Sequence, residues 1–243
     1  MPSHYEFTDE TKRAVGVTLH RIRATKDLPH HKVKAGDLGG WVEKESNLRD
    51  EAWVAGEAEA FGSTIISGKA LVSGEALVFG RTKVYGNAQV LRSAKVSGLA
   101  KVYDDAKVYD GAVINNSVRV HGNAQVFGGA TVYNNAVIKD NAQIYDDAKV
   151  FGSAIIFQQG KVSGNAQVSG NAQVFENGEV TGSAKVSGAV SVRGDAVVRE
   201  DQSGVRDVTA AKLARRVAKQ HITATKELKF VNINSMPSEN WQK

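Results

Sequence analysis

From Val42 to Val198 an aliphatic residue returns at every sixth position without an insertion or deletion. Of the 27 slots in that series, 25 hold Val or Ile, and the exceptions are Leu48 and Ala60. A second series runs two residues ahead of it, from Gly40 to Ala196, with Ala in 19 slots and Gly, Ser, Thr or Val in the rest. Two residues after each aliphatic slot, from Gly56 to Gly194, stands Gly, Asp or Asn, apart from Arg92, Gln158 and Glu176. A pleated backbone turns residues two apart to the same face, so the small residue and the aliphatic one point inward together. Gly, Asn and Asp tolerate the positive φ that a sharp corner needs. Each unit of six therefore predicts one short strand and one bend. Antiparallel hairpins would need a tight turn after every unit and would leave nothing to end the sheet, so a coil of parallel strands is predicted instead.

The flanks break this register. Residues 4–24 alternate in polarity and predict a β-hairpin turning near Asp9 to Lys12, with Trp41 and Trp53 plugging that end of the coil. The chain thus divides into an N-terminal β-hairpin cap over 1–40, a repeat region over 41–200, and a C-terminal basic helix and tail over 201–243. Within that last piece, residues 205–221 predict a helix with Val208, Ala211, Ala214, Val217 and Ala218 on one side and Lys212, Arg215, Arg216 and Lys219 on the other. Residues 227–233 predict a short strand.

Runs such as VFGGATVYNNAVIKDNAQIYDDAKVFGSAII resemble the hexapeptide repeats of left-handed parallel β-helices. The phrase VKAGDLGGWV, from Val33 to Val42, followed by V-x-G-N-A-x units, is similar to the YdcK-like proteins of bacteria and their phages. The resemblance implies an all-β fold, a single-stranded left-handed parallel β-helix of three hexads per coil. Its 27 hexads would make about nine triangular coils, roughly 43 Å long at about 4.8 Å between stacked strands. It also implies a homo-oligomer, a parallel trimer or else a dimer, and it brings in acyl transfer from acyl-CoA as one activity to weigh. A phage-encoded host-interaction factor is another expectation from the same source.

Few residues in the repeat carry catalytic chemistry. Hexapeptide acyltransferases use a histidine base under covering loops, yet here no loop interrupts the coils, and His121 is the one histidine between Val42 and Val198. His4, His20, His30, His31 and His221 lie outside the repeat, and His30 with His31 reads as a solvated loop, so no metal or cofactor is expected. The chain has no cysteine for disulfides or thiolate sites. Its polar start has no signal-peptide pattern and no apolar run approaches membrane-spanning length, so a cytoplasmic protein without membrane contact is expected.

The outward positions say more. With three hexads per coil, residues 18 apart stack, and one face reads Ile65, Lys83, Lys101, Arg119, Val137, Ile155. Tyr85, Tyr103 and His121 follow two residues further on. Cations in successive coils repel one another unless an anion compensates, so this ladder is the candidate binding site, with phosphates on the cations and rings stacked on bases or packed on a protein. A lysine-rich solubilising face beside structural aromatic ladders gives the same pattern. Such ladders recur as Phe61 with Phe79, Tyr109 with Phe127 and Tyr145, Tyr133 with Phe151, and Phe157 with Phe175. Outward apolar Trp53, Leu71, Leu77, Val113, Val137 and Ile155 predict covered faces. The net charge is +5, with basic residues concentrated towards the C-terminus, which admits an acidic protein partner or nucleic acid. The leading expectation is a noncatalytic scaffold presenting a rigid surface. The alternatives are a hexapeptide acyltransferase and a nucleotide or nucleic-acid binder.

Overall fold

From Trp53 to Val198 each hexad folds as predicted, into a two-residue strand and a corner, and the strands stack into three parallel sheets. A computed structural model describes residues 3–201, 207–209, 212, 213 and 215. Three strands precede the regular coils: β1 (Tyr5–Ala14), β2 (Val17–Ala24) and β3 (Leu38–Val42). From Trp53–Val54 to Val197–Val198, successive strands pass to the next face, and each pairs in parallel register with the strand 18 residues away on its own face. Two faces hold nine strands each and the third holds eleven, because β1 and β2 extend it. The result is a parallel β-solenoid of about nine turns, with almost no helix among the described residues.

Side-chain size explains why the coil closes so tightly. All 27 aliphatic slots are buried, from Val42 through Val198. The small series is buried beside them except at Ser46, where a short 3-10 turn (Glu45–Asn47) replaces the strand. There Asn47 turns inward and is fully buried. Its amide donates to the carbonyls of Gly62 and Thr64 at 3.1 and 2.8 Å, while its oxygen accepts the Lys44 N–H at 3.1 Å. A buried amide with its donors and acceptor satisfied costs little and sets one geometry.

The corners explain the third series, including its exceptions. Arg92, Gln158 and Glu176 take the same left-handed conformation as the glycines and aspartates, at φ 60, 53 and 55°. At Gln158 and Glu176 a long polar side chain is tolerated because the corner N–H of the next coil needs an acceptor, whereas Arg92 donates to Asp110 at 2.6 Å. Asp140 accepts from the Gln158 N–H at 3.1 Å, Gln158 from Glu176 at 2.7 Å, and Glu176 from Gly194 at 2.7 Å. Asp50, Asp104, Asn116 and Asp146 do the same for the corners 18 residues on. Each such bond offsets part of the cost of positive φ in a residue with a Cβ.

The N-terminal hairpin turns at Val15–Gly16, φ 49 and 82°, rather than near Asp9 to Lys12. Two successive positive φ values suit a tight hairpin turn. The polar run expected to turn is instead a bulge between Phe7 and Thr11, where the Thr8 hydroxyl donates to the Arg21 carbonyl at 3.1 Å and accepts the Glu10 N–H at 3.2 Å. Tyr5, Ile22 and Leu28 join the same apolar cluster as Val42 and Val54. Burial pushes the Tyr5 phenol up to about 12, and its hydroxyl donates to the Glu45 carbonyl at 3.2 Å.

The other face of the hairpin is fastened by charge. Trp41 Nε1 donates to Glu57 at 2.9 Å and Arg21 donates to the other oxygen of the same carboxylate at 2.8 Å. Lys12 pairs with Glu59 at 2.9 Å, and both Lys12 and Arg21 lie over the Trp41 ring. The Arg21 hydrogen bond first, and that of Trp41 second, hold the Glu57 carboxyl below its ordinary value of 4.5. A carboxyl depressed in the folded state stabilises the fold above its ordinary value and loses that contribution as pH falls through the lowered one. The melting temperature of Glu57→Gln should therefore lie below that of the parent at neutral pH and converge with it as pH drops below the ordinary glutamate range. A gap that stays constant down to acid pH would remove Glu57 from the fastening.

At the other end, Asp207–Val208 adds a final strand, pairing Asp207 with Ser191 and Val208 with Val192. Lys212, Leu213 and Arg215 are helical, and the Leu213 N–H donates to the Thr209 carbonyl at 3.0 Å. The remainder of the expected basic helix, with Arg216 and Lys219, and the strand expected over 227–233 lie outside the described residues.

Candidate functional site

The face that carries the predicted ladder is built from strands Ile65–Ile66, Lys83–Val84, Lys101–Val102, Arg119–Val120, Val137–Ile138 and Ile155–Ile156. In each strand the second residue points to the core, so the first points outward. Lys101 is the direct strand partner of both Lys83 and Arg119. All three are exposed. The preceding corner runs alongside and contributes Arg81, Leu99 and Ser117. Together these side chains line a shallow groove of about 650 Å³, closed at its ends by Ser63, Ile65 and Asn135.

Four cations line this groove and no carboxylate does. Among the described residues, none of Arg81, Lys83, Lys101 and Arg119 makes an ion pair or a side-chain hydrogen bond. Elsewhere on the rod Arg92 bonds Asp110 at 2.6 Å and Arg193 bonds Asp207 at 2.9 Å, whereas among the described residues Lys95, Lys107, Lys149 and Lys161 also stand without a pair; what sets the groove apart is four cations gathered with no carboxylate among them. The two depressions on a neighbouring face mix their lysines with Asp105 in one and Glu179 in the other. Adjacent like charges held by strand pairing at about 4.8 Å raise the local potential, and an incoming anion gains from several of them at once.

The rings take a different part from the one expected of them. Tyr85 and Tyr103 stack at 4.9 Å and 2° between planes, and Tyr103 and His121 at 4.6 Å and 4°. The inner faces of the stack are thus occupied within the ladder, and a base could meet only the outer face of Tyr85 or of His121. The four other ladders form as expected, with centroids between 4.8 and 5.2 Å. Cross-coil ring pairs of this kind each contribute about 0.5–1.5 kcal/mol beyond buried area.

His121 is half-buried, and that burial holds its imidazole below the ordinary value despite the opposing pull of Asp104. Its Nδ1 lies 3.7 Å from Asp104, beyond hydrogen-bond reach, while that carboxylate accepts the Gly122 N–H at 3.2 Å. A neutral ring beside a carboxylate could accept a proton in principle. Among the described residues the coils run from Val42 to Val198 without a loop that would cover it. No group of three or more His, Asp or Glu converges as a metal site among the described residues. His31 instead bonds the Glu51 carbonyl at 2.8 Å and His4 the Ala52 carbonyl at 2.8 Å, fastening the N-terminal segment to the first coil.

The remaining candidate cations are not brought to the groove. Lys212 bonds Asp207 at 2.9 Å beside Ser191, four strands further along the same face than Arg119. Arg215 is exposed there. Trp53, expected both to plug the N-terminal end and to lie on a covered face, is buried by its own chain at that end: it belongs to the cluster that contains Tyr5 and Leu28. Val137 is also buried, whereas Leu71, Leu77, Val113 and Ile155 are half-buried. Arg81 and Leu99 escaped the sequence reading because they sit one column over. The 18-residue spacing marks them too, two places before Lys83 and Lys101.

These features define a hexapeptide-repeat parallel β-solenoid with one uncompensated cationic groove. The chain is similar to the family described as YdcK Beta solenoid repeat, whose model matches residues 142–158, about one coil of the rod. That match carries no statement of activity, and no curated protein matches the chain. No helix among the described residues is long and apolar enough to cross a membrane.

Proposed function

We propose that this protein is a noncatalytic scaffold whose rigid rod presents the Arg81, Lys83, Lys101 and Arg119 groove to an acidic protein partner. The observation that carries the reading is four neighbouring cations without a single carboxylate among them. Strand pairing holds their backbones in place, so little ordering is needed on association, which is the cost that most weakens flexible binders. The mutual stacking of Tyr85, Tyr103 and His121 favours an acidic protein over a nucleic acid, since it leaves Tyr103 no open face and only the two ends of the stack for a base. In this reading the rod winds left-handed, as the hexapeptide resemblance implies, and the N-terminal hairpin caps it against edge-to-edge pairing.

The test is binding of poly-L-glutamate, measured by calorimetry over a salt series, to the parent chain and to the triple variant Lys83→Ser, Lys101→Ser, Arg119→Ser. The parent should bind and weaken as salt rises; the variant, folded and melting like the parent, should bind about tenfold or more weakly, with a flatter salt slope. Equal binding by a folded triple variant would overturn the site. Absence of binding by the parent would overturn the acidic partner, and tighter binding of single-stranded DNA than of polyglutamate would replace that partner with a nucleic acid.

A further inference from the structure

The corner position three residues after each aliphatic slot faces solvent and is polar or small through nearly the whole rod. From Glu45 to Asp195 it carries Glu, Ser, Lys, Arg, Asn, Asp, Gln, Gly or Ala, and a large apolar side chain only once, at Leu99. Leu99 is 48% exposed, and among the described residues it is the one large exposed apolar residue in the coils beyond β3. Its column reads Ser63, Arg81, Leu99, Ser117, Asn135, so nothing in the local backbone asks for leucine. The rod's own solution at the equivalent corner one coil further on is serine.

Leu99 also sits in the groove already described. Arg81 precedes it in the same column, Ser117 follows it, and Lys83, Lys101 and Arg119 flank it on the strand face. An isolated exposed leucine needs no explanation, because single apolar residues are common on surfaces. An exposed leucine surrounded by four cations that have no carboxylate partners is different, since both features are met by one occupant. Protein interfaces set an apolar centre inside a polar rim. Here the apolar contact would lie between the cations, and the rim would be charged.

Resting on the proposed function, we infer that the partner segment is acidic on both sides of a single apolar residue, and that this residue seats on Leu99 while flanking carboxylates meet Arg81, Lys83, Lys101 and Arg119. Charge alone would accept any polyanion, whereas the leucine makes the groove selective for an amphipathic acidic peptide. The carboxylates steer encounter and the apolar contact slows release.

Two short synthetic peptides separate the parts of this inference: one with a central leucine among glutamates, the other with serine in its place. The parent chain should bind the leucine peptide about fivefold or more tightly than the serine peptide, the scale of partly burying one aliphatic side chain. Leu99→Ser, which places the residue of Ser117 at an equivalent corner, should fold normally and bind both peptides with the affinity the parent has for the serine one. Leu99→Met should restore the preference. If the parent binds both peptides equally, or if Leu99→Ser keeps the preference, the anchor is overturned while the cationic groove stands. If the parent binds neither peptide, the proposed function falls with it.

Discussion

Val126→Asp should unfold the central coils, whereas Gln125→Asp, one residue away, should leave them intact. Val126 is fully buried and lies between Val108 and Ile144 in the inward column of its face. No buried donor is at hand for a carboxylate there, and an unpaired buried charge costs on the order of 4 kcal/mol or more even after the site relaxes. Gln125 points the other way. Its oxygen accepts the Tyr109 hydroxyl at 3.1 Å, and its strand partner is Lys107. Aspartate would give up that hydrogen bond but gain a cation beside it, a change of about 1 kcal/mol or less. Thermal melting with native-state hydrogen exchange measures the contrast. Because each coil is supported mainly by its neighbours, lost protection in Val126→Asp should be deepest near that coil and spread outward. Equal melting losses in the two variants would refute the inward and outward assignment.

The features that were legible before the structure are those set by a period. Inward Val and Ala, the 18-residue stacking of Lys83, Lys101 and Arg119, and the aromatic ladders all follow from a fixed step, and one slip would have turned each to the wrong side. Features set by a single contact were not legible. The hairpin turn lies at Val15–Gly16 because the more turn-like run before it is absorbed by a bulge at Thr8. Trp53 was legible as a plug for the N-terminal end, but the residues that cover it were not: Tyr5 and Leu28 arrive from a segment that shares no period with it. Arg92, Gln158 and Glu176 break the corner pattern in composition but keep its conformation: Gln158 and Glu176 accept the next corner's N–H as an aspartate would, while Arg92 donates to Asp110.

The candidate site divides along the same line. Three of its four cations were visible as one column, but a groove has two walls, and the second wall is a corner column read separately. Arg81 and Leu99 acquire meaning only when that column is placed beside the strand face. Lys212 shows the converse. Its charge joins a basic stretch in the sequence, but in the fold that charge is committed to Asp207, which also holds Arg193. Basic composition therefore overstates the free cationic surface at that end of the described rod.

Gly39→Ala should detach the N-terminal hairpin while leaving the distal coils folded. A methyl group at residue 39 would approach Ile22 Cγ1 to 2.5 Å, and Trp53 Cζ2 and the Val54 carbonyl oxygen to 2.7 Å each. Two of these three neighbours belong to the first coil, one of them backbone, so the clash cannot be relieved by rotating a side-chain tip. β3, which carries Gly39, pairs with β2 on one edge and with Glu59–Ala60 on the other, so moving it breaks the continuity between hairpin and rod. Fastenings such as Trp41 to Glu57 and Arg21 to Glu57 depend on that continuity. Overpacking of a closed site costs about 1–3 kcal/mol, enough to open a terminal element that is supported from one side only. Hydrogen exchange should then show lost protection through residues 5–24 and 38–42, with parent-like protection in coils beyond Leu77. Uniform loss along the chain would mean that the hairpin and rod unfold as one unit. Unchanged protection in the hairpin would mean that the first coil yields to the methyl group without releasing it.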